Sequence, residues 1–278
     1  MSIDSVNTNV GAMIALENLD ATQAQLQKTQ AIISTGLRIA GPQDDGSTWA
    51  IAQNQRAQVL SLDAVKDSLS RGQSVLDVSI SAGTSISDLL TQMKSKALAA
   101  SDQGLDSTSR QALNDQFQSL RDQITTIVNN ASFNGTNMIK SGGNTIYALA
   151  NADGSSKITV QAQDLSLGGA NLTANVGTTA SIGTATIASQ MVGYLQTAID
   201  NVSSSLAKLG TGSNALDSHQ MFISSLQDTL NQGISNLVDA DMAKESATLQ
   251  ALQTKQQLGV QALSIANSST SVLLSLFR

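Results

Sequence analysis

Leu195, Val202, Leu209, Leu216, Ile223, Leu230 and Leu237 form a ladder in which every seventh residue is apolar. A strict seven-residue repeat keeps one stripe of a helix facing a partner, so this stretch is constrained to a long coiled-coil helix. A second ladder, Leu62, Leu69, Leu76, Gly83, Leu90 and Ala97, lies far upstream. A shorter one, Ala12, Leu19, Leu26 and Ile33, stands near the start. The two long ladders flank a middle rich in Gly, Ser and Thr. The chain is therefore expected to run out and back, with the Leu195–Leu237 stripe packed on the Leu62–Leu90 stripe. The fold class this implies is mainly α: a long antiparallel coiled-coil rod with a small β-hairpin and loop region, its N- and C-termini paired. Burying the seven side chains of the first ladder, at roughly 1.5–3 kcal/mol each, supplies on the order of 10–20 kcal/mol before chain entropy is subtracted.

The pattern predicts helices over residues 5–34, 47–102, 107–129, 189–237 and 239–278. At 1.5 Å per residue the second would be roughly 80 Å long. Asn7 or Asn9 is the expected cap of the first helix, Ser107 or Thr108 that of the third. Gly41-Pro42-Gln43-Asp44-Asp45-Gly46 forbids a continuous helix between the first two. Thr145–Leu149 and Lys157–Val160 alternate around Asn151-Ala152-Asp153-Gly154, the pattern of a hairpin. Two domains follow: residues 1–40 with 240–278 as an inner terminal coiled coil, and 41–239 as the rod, with the hairpin and loop region at about 134–188. Within it, residues 145–187 are expected to project sideways with little apolar content to bury.

Both ends are apolar yet poor in charge, and residues 256–277 hold no charged side chain at all. Ten of those 22 residues are Ser, Thr, Asn or Gln, so the segment does not read as a membrane span, and no membrane insertion is expected. It suits packing against copies of itself. The expected self-assembly residues are Ala12, Leu16, Leu19, Leu26 and Ile33 on the first helix and Leu249, Leu252, Leu263, Leu273 and Phe277 on the last.

Chemistry finds little footing. Aromatics make up 3% and Pro42 is the one proline, which leaves few anchors for a small-molecule pocket. A net charge of −6 argues against nucleic acid, which calls for clustered Lys and Arg. With no cysteine there is neither a disulfide nor a thiolate metal site. No basic segment followed by an apolar run opens the chain, so a cleavable secretory signal is not expected. His219, the single histidine, lacks the companions a metal needs and reads as a surface helix position. Asp44, Asp45, Asp239 and Asp241 read as helix caps rather than paired catalytic acids. Trp49 reads as packing for the joint between helices. No enzymatic activity, metal or cofactor is expected.

Several strings, in order, resemble the bacterial flagellins. Ser34-Thr35-Gly36-Leu37-Arg38-Ile39 is similar to the family's S-[ST]-G-L-R-I, and Asp44-Asp45 with Trp49-Ala50-Ile51-Ala52 to D-D-A-A-G-L-A-I-A. Phe133-Asn134-Gly135 resembles F-N-G, Asp239 to Glu245 resembles D-x-D-x-A-x-E, and Ala266-Asn267 resembles the Q-A-N region. Gly41-Pro42-Gln43 and Trp49 depart from the pattern, and no Pro-Gln follows Asn267. The middle is short, as in a form without large outer domains. The resemblance implies a homopolymer: a secreted structural subunit of the extracellular flagellar filament. It is exported by the flagellar type III apparatus and served by an export chaperone and by filament cap and junction proteins. A hook–filament junction protein is the nearest alternative, and a secreted membrane-acting translocator a more distant one. Many flagellins are sensed by a Toll-like receptor through a stretch resembling L-Q-R-x-R-E-L. The corresponding residues here are Leu90-Thr91-Gln92-Met93-Lys94-Ser95-Lys96. Gln92 stands for the first Arg and Lys96 for the last Leu, so weak or absent receptor recognition is expected.

Overall fold

In a computed structural model of the protein, the backbone is described for residues 8–172 and 174–276, and side chains for 8–172 and 175–268. Five α-helices and one hairpin make up those residues, besides a single 3-10 turn at Ala174–Val176. The helices are α1 (Val10–Thr35), α2 (Gly46–Ala100), α3 (Ser107–Asn130), α4 (Ala185–Val238) and α5 (Met242–Leu276). Strands β1 (Ile146–Leu149) and β2 (Lys157–Val160) pair antiparallel, Ile146 opposite Val160 and Leu149 opposite Lys157. By packing, the chain divides into two units, residues 58–227 and a terminal unit holding the rest, with both divisions falling inside long helices.

In the central unit, α2 and α4 run antiparallel. Gln227 Nε2 donates to Asp63 Oδ1 at 2.7 Å, Gln73 Nε2 to Ser213 Oγ at 2.6 Å, and Lys94 Nζ to Gln196 Oε1 at 2.5 Å. As residue numbers rise along α2 their partners fall along α4. Leu62, Leu69, Leu76, Leu90 and Ala97 are buried, as are Leu195, Val202, Leu209, Leu216 and Ile223. Between them α2 also buries Val65, Ser79, Ile86, Met93 and Ala100, completing the alternating three- and four-residue spacing of a heptad seam.

The last two rungs depart from the ladder. Leu230 and Leu237 are only half-buried, while Gln227, Ile234 and Val238 take the inward positions. Beyond Ile223 the buried line advances by four, seven and four residues. A straight helix of 3.6 residues per turn drifts off a 3.5-residue stripe in this direction.

Gly83, a rung of the α2 ladder, marks a socket rather than a flaw. A Cβ there would lie 2.7 Å from Leu206 Cδ2 and 3.3 Å from Leu165 Cδ1. Gly72 meets Leu216, Ile146 and Ala148 in the same way, and Gly212 meets Val160. The glycines let the hairpin and the loop after it approach the two helices. Leu149 N donates to Ser68 Oγ at 3.1 Å, and a ring nitrogen of His219 lies 2.7 Å from the Ala150 carbonyl oxygen. His219 is thus half-buried at a packing contact, not a plain surface residue.

The expectation that the middle has little to bury is overturned. Within residues 145–187, Leu165, Leu172, Val176 and Ile182 are fully buried, as are Met138 and Ile139 just before them and Phe117 and Ile124 on α3. Side chains of α3 tie the loop down. Asn114 Oδ1 accepts from Ile182 N at 2.8 Å, and Arg121 donates to the Ala180 carbonyl at 3.0 Å. Asn137, buried in the loop, donates to the Val128 carbonyl at 2.7 Å. The buried residues lie scattered among Gly, Ser and Thr, which masks them in composition.

Caps explain where the helices begin and end. Asn9 Oδ1 accepts from Ala12 N and opens α1. Gly36, at φ +71°, closes it in the left-handed conformation glycine adopts at little cost. Asp106, rather than Ser107 or Thr108, caps α3 by accepting from the amides of Thr108 and Ser109. Arg110 reaches back to the carbonyls of Ala100, Asp102 and Leu105 and satisfies the end of α2.

Candidate assembly surface

The terminal unit is built on α1 and α5, packed antiparallel. Asn9 Nδ2 donates to the Ala266 carbonyl at 2.7 Å, and Gln256 Nε2 to Gln23 Oε1 at 2.5 Å. Leu19 lies against Gly259, where an added Cβ would stand 3.3 Å from Leu19 Cδ1.

Of the expected assembly residues, Leu26 is buried between the helices, and Ala12, Leu19, Ile33, Leu249, Leu252 and Leu263 are half-buried. Leu16 is 49% exposed. The side chain of Leu273 and all of Phe277 lie outside the described residues. The ladder thus marks the face that α1 turns toward α5. Thr22 and Thr29 fill the rungs between its apolar residues, both buried, and Thr22 Oγ1 donates to the Asn18 carbonyl.

Much apolar surface remains uncovered. Met13 is 62% exposed, Ile14 55%, Leu258 60% and Ile265 69%, with Val10 and Val260 about half exposed. None of these six lies on the heptad stripe, and the periodic reading missed them for that reason. Their common signal is that they are large, apolar and out of phase with the stripe. A helix apolar on more than one side calls for more than one neighbour.

The joint below is held by backbone pairing. Leu37 bridges Asp239, and Arg38 N and Ile39 N both donate to the Val238 carbonyl. Ala240 N donates to the Gly36 carbonyl, and Arg38 Nη2 caps the end of α4 on the Leu237 carbonyl at 2.6 Å. The aspartates here serve the backbone. Asp44 accepts from the amides of Ala40 and Gly41. Asp45 caps α2 on Ser47 and Thr48, whose hydroxyls and amides hold its carboxyl down at about 2, the Thr48 hydroxyl foremost. Asp241 caps α5 on Ala243 and Lys244, while Asp239 pairs with Leu37. Trp49 is half-buried in the first turn of α2.

Among the described residues no group of three or more His, Cys, Asp or Glu is placed to hold a metal ion. No described helix is long and apolar enough to cross a membrane. What the geometry offers is surface.

Residues 6–145 match the bacterial flagellin N-terminal helical region, and residues 192–277 the bacterial flagellin C-terminal helical region. Flagellins FljM and FljK of Caulobacter vibrioides are 54% and 53% identical to this chain over the full length of both. A flagellin of Brucella melitensis is 36% identical over 99% of each chain. Among solved structures, Bacillus cereus flagellin superposes with a TM-score of 0.50 at 25% identity, over 56% of this chain and 87% of its own. A putative flagellar hook-associated protein from Vibrio parahaemolyticus reaches 0.58 at 14% identity, over 70% of this chain and all of its own, a likeness of fold.

Proposed function

The chain belongs to the bacterial flagellin family and is a structural subunit of the flagellar filament, and from that premise we propose that α1 and α5 carry the surface through which copies polymerise. The observation that carries this reading is the apolar surface left open on the pair, with Met13, Ile14, Leu258 and Ile265 each more than half exposed. Burying such side chains contributes roughly 1.5–3 kcal/mol apiece, and within the chain that contribution is not realised. Neighbouring subunits supply the missing cover. Functionally, residues 1–40 with 240–278 act as the polymerising domain and 41–239 as the body between them. Ala12, Leu19, Leu26 and Ile33 hold the pair together, and Leu16 faces the neighbour. The polymer stands outside the cell, reached through flagellar export with a chaperone, and meets cap and junction proteins at its ends. The role is mechanical, with no catalysis.

Receptor recognition is weak in this reading. Leu90 and Met93 are fully buried on the seam, which leaves Gln92 exposed where the receptor's Arg contact would stand. Gln92 lacks the charge and planar fork of arginine.

Seeded filament growth of the purified full chain tests the assembly surface. Ile14→Asp and Ile265→Asp are expected to stop elongation while leaving the monomer's melting curve in place. Growth of both variants at the parent's rate would remove the terminal pair from this role.

A further inference from the structure

Five arginines have described side chains, and four of them spend their guanidinium groups inside the chain. Arg38 caps α4, Arg56 donates to Gln53, Arg110 caps α2, and Arg121 holds both Ala180 and Asp122. Arg71 is the exception, with no hydrogen bond or ion pair among the described residues. It lines a cleft of about 430 Å³ between α2 and the hairpin side of the central unit. Asn134, Thr136 and Asn144 line the same cleft, and their side chains likewise make no hydrogen bond there. Phe133 and Tyr147 flank it, 38% and 62% exposed. A guanidinium presents five donors in a planar fork that matches a carboxylate, carboxamides and a hydroxyl complete its hydrogen bonds, and the rings provide apolar walls. Unpaired groups of these kinds, converging on one concave surface, describe a receptor for an acidic segment.

The chain itself offers such segments. It carries 21 acidic against 15 basic residues, yet the one ion pair among the described residues joins neighbours in sequence, Arg121 and Asp122. Asp67, Asp88 and Asp217 of the central unit are exposed, and their carboxylates have no hydrogen-bond partner among the described residues. Asp67 stands one helical turn before Arg71 and forms no ion pair with it. A subunit that leaves its charges unpaired has them available for its copies. We infer that the Arg71 cleft receives a carboxylate of a neighbouring copy of this chain, an ionic contact in the central unit separate from the apolar contacts of α1 and α5. This rests on the chain's being a filament subunit.

Seeded growth of the full chain is the test, with Arg71→Glu, Arg71→Lys, Arg71→Ala and Asp67→Asn beside the parent. Arg71→Glu is expected to slow elongation on the order of tenfold or more, the size of one lost interfacial charge contact, with an unchanged melting temperature. Arg71→Lys keeps part of the rate, and added salt slows the parent more than Arg71→Ala. In filaments of Arg71→Lys, a carbodiimide is expected to join the introduced amine to a carboxylate of another copy. Elongation of Arg71→Glu at the parent's rate would overturn the proposal. So would an equal loss in Asp67→Asn, because Arg71 would then act through its own helix. A parent that does not elongate at all would fault the filament reading itself, and the cleft's role would fall with it.

Discussion

The two antiparallel helix pairs of this chain use the same repeat and reach opposite ends with it. In α2 and α4 the stripe carries mainly Leu, Ile, Val and Met, with Ser79 and Ser205 buried among them; the glycine positions receive side chains from the hairpin, its loop and the facing helix, and the seam is closed. In α1 and α5 the stripe alternates apolar residues with Thr22 and Thr29, and the larger apolar side chains sit off it, in the open. The first pair closes its seam within the chain, with Leu60, Leu98, Met221 and Phe222 left exposed off it, whereas on the second most of the larger apolar side chains stand open. The difference lies in phase rather than amount. Placed off the stripe, Ile14 and Ile265 are withheld from the folding contact, and under the proposed function they are left for assembly.

The widest break between the pairs comes from deleting one of them. Removing residues 1–35 and 240–278 should leave a soluble, helical protein that cannot polymerise, because the central seam, hairpin and α3 remain intact. Circular dichroism and seeded growth read the two outcomes separately. Filaments from the truncated protein would erase the distinction.

A charge in the seam should do the reverse. Leu216 is fully buried and touches the Gly72 position. Leu216→Asp loses the leucine's packing and buries a carboxylate among apolar neighbours, at a cost of several kcal/mol. The melting temperature of the monomer should fall steeply, far more than for Ile14→Asp on the open face. Equal melting temperatures for the two variants would mean that the seam is no more closed than the terminal pair.

Two glycines of α4, two residues apart, set the closed and open sides of the seam against each other. An added Cβ at Gly210 meets nothing within 4 Å, whereas at Gly212 it would lie 2.5 Å from Val160 Cγ1. Alanine in a helix interior is favoured over glycine by about 0.5–1 kcal/mol. Gly210→Ala should therefore raise the melting temperature. Gly212→Ala should lower it, since overpacking costs about 1–3 kcal/mol and displaces β2. Thermal melts of both variants decide this, and shifts of the same sign would dismiss the socket.

Residues that repeat were legible in the sequence, and so were local caps such as Asn9, Asp45 and Asp241, whereas residues that act once across a distance were not. The Leu195–Ile223 and Leu62–Ala97 ladders located the central helices because a period reports which side faces a partner. The same logic stopped at Ile223, where the buried line left the seven-residue spacing for Gln227, Ile234 and Val238. The core of the middle was hidden because Met138, Leu165, Leu172 and Ile182 follow no period and are held by single contacts from α3, such as Asn114 to Ile182. Arg110 closes α2 from ten residues away, which no local pattern announces. At the terminal pair, the ladder found the face that holds the helices together and passed over Met13, Ile14, Leu258 and Ile265, which face outward.

Acid should act on both regions alike, and the effect should be smaller than any of these. Asp45, at the start of α2 in the terminal unit, has its carboxyl lowered from 3.8 to about 2 by the Thr48 and Ser47 hydroxyls and amides. Asp106, capping α3 in the central unit, is lowered by the hydroxyl and amide of Ser109, and Asp153 by the amide and hydroxyl of Ser155. A carboxyl lowered in the folded state contributes its full stabilisation above its ordinary value near 3.8 and loses it as pH falls toward about 2. The melting temperature should therefore decline across that window. Asparagine still caps a helix but has no proton to take up there. Asp45→Asn should flatten part of the decline, leaving the share of Asp106 and Asp153, and Asp106→Asn should flatten another part. Hydrogen exchange at the amides of Thr48 and Ser109 would localise the loss to each cap. If both variants kept the parent's full acid dependence, the loss would have to originate away from these helix starts.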